Sequence, residues 1–463
     1  MAHHRRQRLA DRFLAPIVLV PTVLAAATGV AVAWGLTAGQ VAGGEPTVDP
    51  FRFATSAPTA TPVDPRPAWS AWPGVSAAPT PDAAALSARL LAIPRVGAGT
   101  VGLAVVDPAS GRLLVDDGAE SLIVPASTLK LFVSAAALKT LGADHRFTTT
   151  VVSVPDGIVL VGGGDPVLAD AKPTDYPQRA SLEELADATA AALSGAGRTQ
   201  VTLGFDAGLF AGPDWNDQWE DGDQDFVTPT SALWMDRGIT DAGRTQTPAL
   251  DAARRFAALL GARGITVTGA PAAATAPADA ATVAQVSSPD LSVIVEECLR
   301  TSDNDVAEVL FRHLGRIAGD GSITASQQAL PGILTDLGVW GPGMVTVDGS
   351  GLSYSDRVTP AAIAKTVALG VTDTAFRALT EGLPVAGGYG TLGMPWRYAD
   401  PEEQVARGAV RAKTGSLTGV NTLGGYVLGQ SGVLYVFGLT SNDGDTPSAQ
   451  DWLDHVTAAL AES

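Results

Sequence analysis

Apolar residues along the chain follow two rhythms, and together they sketch most of its elements. From Asp82 onward Leu86, Leu90 and Ile93 recur at three-to-four-residue spacing, which stacks them on one helical face. Asp82 is placed to cap that helix and Pro94 to end it. Two strand-like runs follow at 101–106 and 112–115, joined by the turn sequence Asp107-Pro108-Ala109-Ser110-Gly111. Far downstream, 425–428 and 433–439 predict a hairpin around Gln430-Ser431-Gly432. Trp452, Leu453, Val456 and Leu460 then predict a last helix with one apolar face. Each end of this region thus supplies a helix and antiparallel strands. One sheet assembled from both ends is expected, with helical or inserted material between them. From about Phe147 to Gln285, Val-rich runs, Gly turns and Ala-rich stretches take over. Within them Val159-Leu160-Val161 enters Gly162-Gly163-Gly164-Asp165-Pro166, a strand-ending turn without the lysine of a phosphate loop.

Upstream of Asp82 the pattern changes twice. Arg5, Arg6, Arg8 and Arg12 precede an uncharged stretch whose most apolar part, 14–36, matches the ~20 residues that span a bilayer as a helix. Basic residues before it, and Glu45 and Asp49 after it, place the N-terminus in the cytoplasm and the remainder outside. The expectation is a basic tail over 1–12 and a transmembrane anchor or signal segment over 13–36. The apolar run exceeds the ~7–15 residues of a signal core, which favours the anchor. No cysteine follows at which an acyl chain could be attached. Residues 45–81 are rich in Pro, Thr and Ala and read as an extended linker, with Trp69 and Trp72 inside it.

Composition narrows the chemistry. The 463 residues exceed the ~100–200 of one domain. A net charge of −18 repels phosphate backbones and excludes a nucleic-acid binder. The single Cys298 excludes an intrachain disulfide, a Cys-rich zinc site and an iron–sulfur cluster, and reads as a buried small hydrophobe. Five histidines, two of them at the extreme N-terminus, form no His-Glu-x-x-His, and no G-x-S-x-G occurs. Asp214, Asp217, Glu220, Asp221, Asp223 and Asp225 crowd one segment without calcium-loop spacing and read as a solvated acidic loop.

Three short motifs remain. Lysine is scarce, with five in the chain, and unlike arginine a buried lysine can give up its proton. Lys130 stands three residues after Ser127 at the start of a helix-forming run, so hydroxyl and amine share a face. An amine with depressed pKa can activate that hydroxyl, and a second cation nearby is expected to supply the depression. Lys413-Thr414-Gly415-Ser416 reads as an edge strand with a cation beside a hydroxyl, suited to a substrate carboxylate. Gly415 would let a ligand approach the backbone closely. Ser302-Asp303-Asn304 lies between two helical segments and could project Ser302 and Asn304 into a cleft.

Ser-x-x-Lys, Ser-Asp-Asn and Lys-Thr-Gly in this order are a signature of penicillin-binding proteins and class A β-lactamases. The chain resembles the class C low-molecular-mass penicillin-binding proteins, the D-alanyl-D-alanine carboxypeptidase/endopeptidase family. The likeness extends to Gly162–Pro166, to Asp348-Gly349-Ser350-Gly351-Leu352-Ser353, and to Leu383-Pro384-Val385-Ala386-Gly387 followed by Gly390-Thr391-Leu392. The long interval between Ser127 and Ser302 also sets it apart from class A β-lactamases. The resemblance implies an α+β fold of the serine β-lactamase/transpeptidase kind, an antiparallel sheet flanked by helices plus a helical subdomain. The peptidase domain would comprise 82–144 and 286–463, with one inserted domain over 145–285. It implies Ser127 as nucleophile, Lys130 as general base, Ser302 as proton relay and Asn304 as holder of the substrate amide. Lys413 and Thr414 would bind the terminal carboxylate, with Gly415 and Ser416 in the same substrate-binding strand, and the backbone N–H groups of Ser127 and Ser416 would hold the oxyanion. The implied partners are peptidoglycan stem peptides, with β-lactams as covalent inhibitors; no metal or organic cofactor is required. The anchor and stalk depart from members that are simply exported. A β-lactamase or esterase on the same fold, or a non-catalytic wall scaffold, are the alternatives.

Overall fold

The computed structural model describes residues 82–174 and 176–463. The expected tail, membrane segment and stalk lie outside these residues. No helix among the described residues is long and apolar enough to cross a membrane.

The described region opens with α1 (Ala83–Leu91), where the Asp82 carboxylate accepts from the N–H groups of Ala84 and Ala85 at 3.0 Å. β1 (Thr100–Val106) and β2 (Leu113–Asp117) form a hairpin, and α2 (Leu129–Leu141) follows. Residues 129–138 of α2 are all buried, as expected of a helix apolar on nearly every side. The chain then builds a second sheet. Its elements are β3 (Thr148–Val154), β4 (Gly157–Val161), α3 (Leu182–Gly195), β5 (Gln200–Asp206), the ribbon β6 (Ile239–Thr240) and β7 (Gly243–Arg244), α4 (Pro248–Gly261), β8 (Thr266–Val267), β9 (Ala272–Ala273) and β10 (Thr282–Ser287). It returns through α5 (Leu291–Thr301), α6 (Asn304–Ala318), α7 (Ile323–Asp336), α8 (Pro360–Thr372) and α9 (Ala378–Glu381). β11 (Arg411–Leu417), β12 (Val420–Leu428), β13 (Leu434–Asn442) and α10 (Thr446–Glu462) complete it.

Both ends contribute to one antiparallel sheet in the order β11-β12-β13-β1-β2, with β1 and β13 in register from Thr100↔Asn442 to Val106↔Val436. Strand alternation sends Leu103 and Val105 toward a layer containing Leu90 of α1 and Trp452 and Val456 of α10. Ala104 and Val106 join the opposite core with α2 and α8. Gly438 lets α8 lie directly on the sheet, since a side chain there would stand 2.1 Å from the Pro360 carbonyl oxygen.

The second sheet has the order β10-β3-β4-β5-β8, with β9 also pairing β5. β10, β3 and β4 are antiparallel, whereas β4, β5 and β8 are parallel. α3 and α4 cover it through Leu185, Leu193, Phe256 and Leu260. This lobe is fastened to α6 at several points. His313 Nε2 lies 2.9 Å from the Gly164 carbonyl, and its ring stacks on Phe147 at 4.3 Å. Arg237, just before β6, and Arg244, the last residue of β7, pair with Asp303 and Asp305 at 2.5 Å.

Candidate active site

Ser127 sits in a single 3-10 turn, Ala126–Thr128, immediately before α2. Ala126 has φ +47°, a left-handed value that costs a residue with a Cβ and persists only where the surroundings impose it. Those surroundings are tight. The carbonyl of Pro125 accepts from both Thr128 Oγ1 and Thr422 Oγ1 at 2.7 Å. A side chain at Gly351 would come within 2.0 Å of the Ala126 carbonyl oxygen. The turn is held from below by β12 and from the side by the 348–353 segment.

Lys130, one helical turn on, is completely buried. Its Nζ reaches Ser127 Oγ at 2.8 Å, Asn304 Oδ1 at 2.7 Å and the Ser350 carbonyl at 2.7 Å. Its pKa is lowered. The largest cause is burial, opposed by Cys298, Asp348, Glu308 and Asp303. The expectation that a second cation would supply the depression is therefore corrected: taking the ammonium out of water does so, because a desolvated charge is costly whatever stands beside it. The effect of a second cation falls on Lys413, which is also fully buried. Its pKa is pushed well below the ordinary range by burial first and by Lys130 second.

Ser302 ends α5 in the left-handed conformation, φ +60°, and the Asp303 carboxylate caps α6 through the Val306 N–H at 3.0 Å. The sharp corner turns Ser302 toward β11, where Lys413 Nζ donates to its Oγ at 2.8 Å and to the Thr414 carbonyl at 2.6 Å. Asn304 begins α6; its Oδ1 takes the Lys130 bond while its Nδ2 donates to the Phe226 carbonyl at 3.0 Å. β11 is the edge strand of the sheet. At Gly415 an added Cβ would lie 2.7 Å from the Pro125 carbonyl oxygen and 3.0 Å from the Ser127 N, so the strand abuts the 3-10 turn. Ser416, next along, is exposed. Ser127, Lys130 and Asn304 thus form one bonded group, Ser302 and Lys413 a second, and the Ser302-Asp303-Asn304 corner joins them. Cys298 is buried beneath, its Sγ 3.6 Å from the Asp303 carbonyl and its pKa pushed up to about 12 by burial, an inert thiol.

Several neighbours that the sequence reading left without a role make contacts here. Thr391 Oγ1 lies 2.6 Å from Thr414 Oγ1, fixing that hydroxyl from the 390–392 turn. The acidic loop is more than a solvated connection. Its carboxylates are mostly exposed, but Asn216 donates to the Val347 carbonyl at 2.8 Å and Trp219 Nε1 to Asp348 Oδ2 at 2.9 Å, docking the loop on the 348–353 turn. The Trp-x-x-x-Trp spacing of Trp215 and Trp219 inside an otherwise acidic stretch was the available signal.

The geometry can be set beside known proteins. The sequence profile of the D-Ala-D-Ala carboxypeptidase 3 (S13) family matches residues 82–243 and 240–462. The chain belongs to the S13 family. As a member it is a serine-type D-Ala-D-Ala carboxypeptidase, a low-molecular-mass penicillin-binding protein. S13 relatives include Carboxypeptidase DacB of Mycolicibacterium smegmatis, 35% identical over 430 residues covering 88% of this chain and 91% of that one. The D-alanyl-D-alanine carboxypeptidase of Actinomadura sp. (strain R39) is 30% identical over 471 residues, covering 81% and 83%. Penicillin binding protein 4 of Haemophilus influenzae superposes with TM-score 0.64 at 21% identity, over 82% of this chain and 98% of that one, and so shares its fold. The expected antiparallel sheet flanked by helices is the architecture both proteins display.

Proposed function

We propose the following division of labour among the site residues. Lys130, its charged form disfavoured by burial, acts in its neutral form and removes the proton of Ser127 as Oγ adds to the carbonyl carbon of the penultimate D-alanine in a peptidoglycan stem peptide. The backbone N–H groups of Ser127 and Ser416 hold the resulting oxyanion. Collapse of the tetrahedral species breaks the C–N bond, and the departing D-alanine amine takes a proton relayed through Ser302. Water then cleaves the Ser127 ester. Lys413 and Thr414, the latter oriented by Thr391, take the terminal carboxylate, and Asn304 holds the peptide amide. The observation that carries this reading is the 2.8 Å bond between a completely buried amine and the Ser127 hydroxyl.

A β-lactam presents the same scissile amide with its leaving group tethered, so the same attack leaves a persistent acyl adduct. The purified protein is expected to bind labelled penicillin covalently and to release D-alanine from a stem pentapeptide, and Ser127→Ala is expected to lose both. Labelling that survives in Ser127→Ala removes this nucleophile, and rapid turnover of a chromogenic cephalosporin favours a β-lactamase instead. Release from cross-linked dimers measures any endopeptidase activity in the same assay. The substrate class also supports placing the catalytic region outside the cytoplasmic membrane, held by 13–36. Recovery of the full-length protein in the soluble cytoplasmic fraction would overturn that placement.

A further inference from the structure

Lys130 Nζ has three partners, and only one of them carries a proton it can lose. Asn304 Oδ1 and the Ser350 carbonyl are pure acceptors, at 2.7 Å each, while Ser127 Oγ at 2.8 Å bears a hydroxyl hydrogen. A neutral amine has two N–H bonds and one lone pair. Its two hydrogens must go to the two pure acceptors, which leaves the lone pair facing Ser127. Whatever fixes those two oxygens therefore aims the base.

α6 fixes both. Asn304 offers its own side-chain oxygen from the first residue of the helix. Glu308, one turn later on the same face, is buried and does not touch the lysine through any hydrogen bond. Instead its Oε1 accepts from the backbone N–H groups of Gly349 at 2.9 Å and Ser350 at 2.7 Å. Those bonds hold the two peptide units that lead into Ser350 and so fix where its Cα stands. The approach is close enough to need glycine, because a Cβ at residue 349 would stand 2.5 Å from Phe311 Cβ and 2.8 Å from the Ala307 carbonyl oxygen, both on α6. The amide that carries the Ser350 carbonyl is held through its other end, where Asp348 Oδ1 accepts from Gly351 N at 2.8 Å, and Asp348 Oδ2 accepts from Ser353 N at 2.9 Å.

We propose that Glu308 is a positioning residue for acylation, aiming the Lys130 lone pair at Ser127 by fixing the Gly349 and Ser350 N–H groups of the turn that presents the Ser350 carbonyl, a turn it shares with Asp348. The inference rests on Lys130 acting as the base. Its signature is a loss in the acylation rate constant with non-covalent affinity unchanged, because Glu308 is buried and its Oε1 is taken up by backbone N–H groups. It also requires only an acceptor oxygen at the right reach, so a neutral amide of the same length must serve.

The test measures penicillin acylation by the full-length protein at saturating and sub-saturating concentrations, separating the rate constant from the binding constant, with thermal melting as a check on folding. Misplacing a reacting group by about 1 Å costs on the order of 10²-fold. Glu308→Ala is accordingly expected to lose about 10²-fold in the rate constant. Glu308→Asp, one methylene too short, is expected to lose at least about 30-fold by the same reasoning. Glu308→Gln is expected to stay within about threefold, since it keeps the acceptor. If the Ala variant does not fold, the Asp and Gln variants decide. The proposal is overturned by an Asp variant that acylates at the parental rate, by a Gln variant as slow as or slower than the Asp one, or by one that fails to fold. A drop confined to binding affinity overturns it as well. Lys130→Met separates the two layers: if it acylates normally the base assignment itself falls, whereas an inert Lys130→Met beside unaffected Glu308 variants removes Glu308 alone.

Discussion

Lys413 has two hydrogen-bond partners inside the protein, the Ser302 hydroxyl and the Thr414 carbonyl, and neither is an anion. Burial and the neighbouring Lys130 both drive its pKa down, so the free site holds this lysine with its charge disfavoured. An arriving carboxylate reverses that preference and should draw a proton from solution onto Lys413. Calorimetry of a stem peptide binding to Ser127→Ala, repeated in buffers of different ionisation heat, is expected to show net proton uptake that vanishes for the C-terminal carboxamide. Equal uptake for acid and amide would place the carboxylate elsewhere. At this scale the sequence disclosed residue types and little of their environment. Ser127, Lys130, Ser302, Asn304, Lys413 and Thr414 were readable because their short spacings survive in any fold that uses them. The cause of the Lys130 shift was not, since burial depends on what the rest of the chain packs around α2. Glu308 was hidden for a similar reason: it acts on backbone N–H groups 41 and 42 positions away, which carry no side-chain signature.

Among the elements, α6 has the most connections to the site. Its first residue is Asn304, its next turn carries Glu308, and its third presents His313 to the inserted lobe. His313 fits against Gly164, where φ is +71° and any Cβ would meet Nε2 at 2.4 Å. Burial lowers the His313 pKa from its ordinary 6.5 to about 4, so the ring is neutral in the folded protein. In the unfolded chain it takes up a proton near pH 6.5. Stability from this group is therefore complete above that pH and is lost as pH falls toward about 4. The span corresponds to about 3 kcal/mol. His313→Phe keeps a ring against Phe147 and is expected to shrink the fall in unfolding free energy between pH 7 and pH 4 by up to about that amount. An identical fall in both proteins would show that the junction does not titrate. Hydrophobic period located the flanking strands and helices well, because amphipathic elements advertise their buried faces. The α5–α6 corner looked like an ordinary cap, and the left-handed backbone at Ser302 that turns it into the cleft has no signal in a serine.

For the molecule as a whole, the alternating pattern at both ends correctly anticipated a shared sheet, and the change of composition between them marked where a second sheet lies. The mixed strand order of that second sheet was not legible, because parallel pairing of β4 with β5 is decided by how α3 packs rather than by either strand. Nor was the attachment of the lobe by Arg237, Arg244 and Trp219, since single exposed-looking residues in loops reveal no partner. One consequence of this architecture concerns the nascent polypeptide. The strands of the second sheet all come from one continuous stretch, Thr148 to Ser287, so their pairing closes comparatively short loops. The central strand β1, by contrast, must wait for β13, as the Thr440 hydroxyl and the Gly102 carbonyl it bonds are 338 positions apart. β11, with Lys413, enters the same late hairpin. A chain caught midway through synthesis thus lacks both β13 and the strand that carries Lys413, so cleavage is withheld until the last strands have emerged.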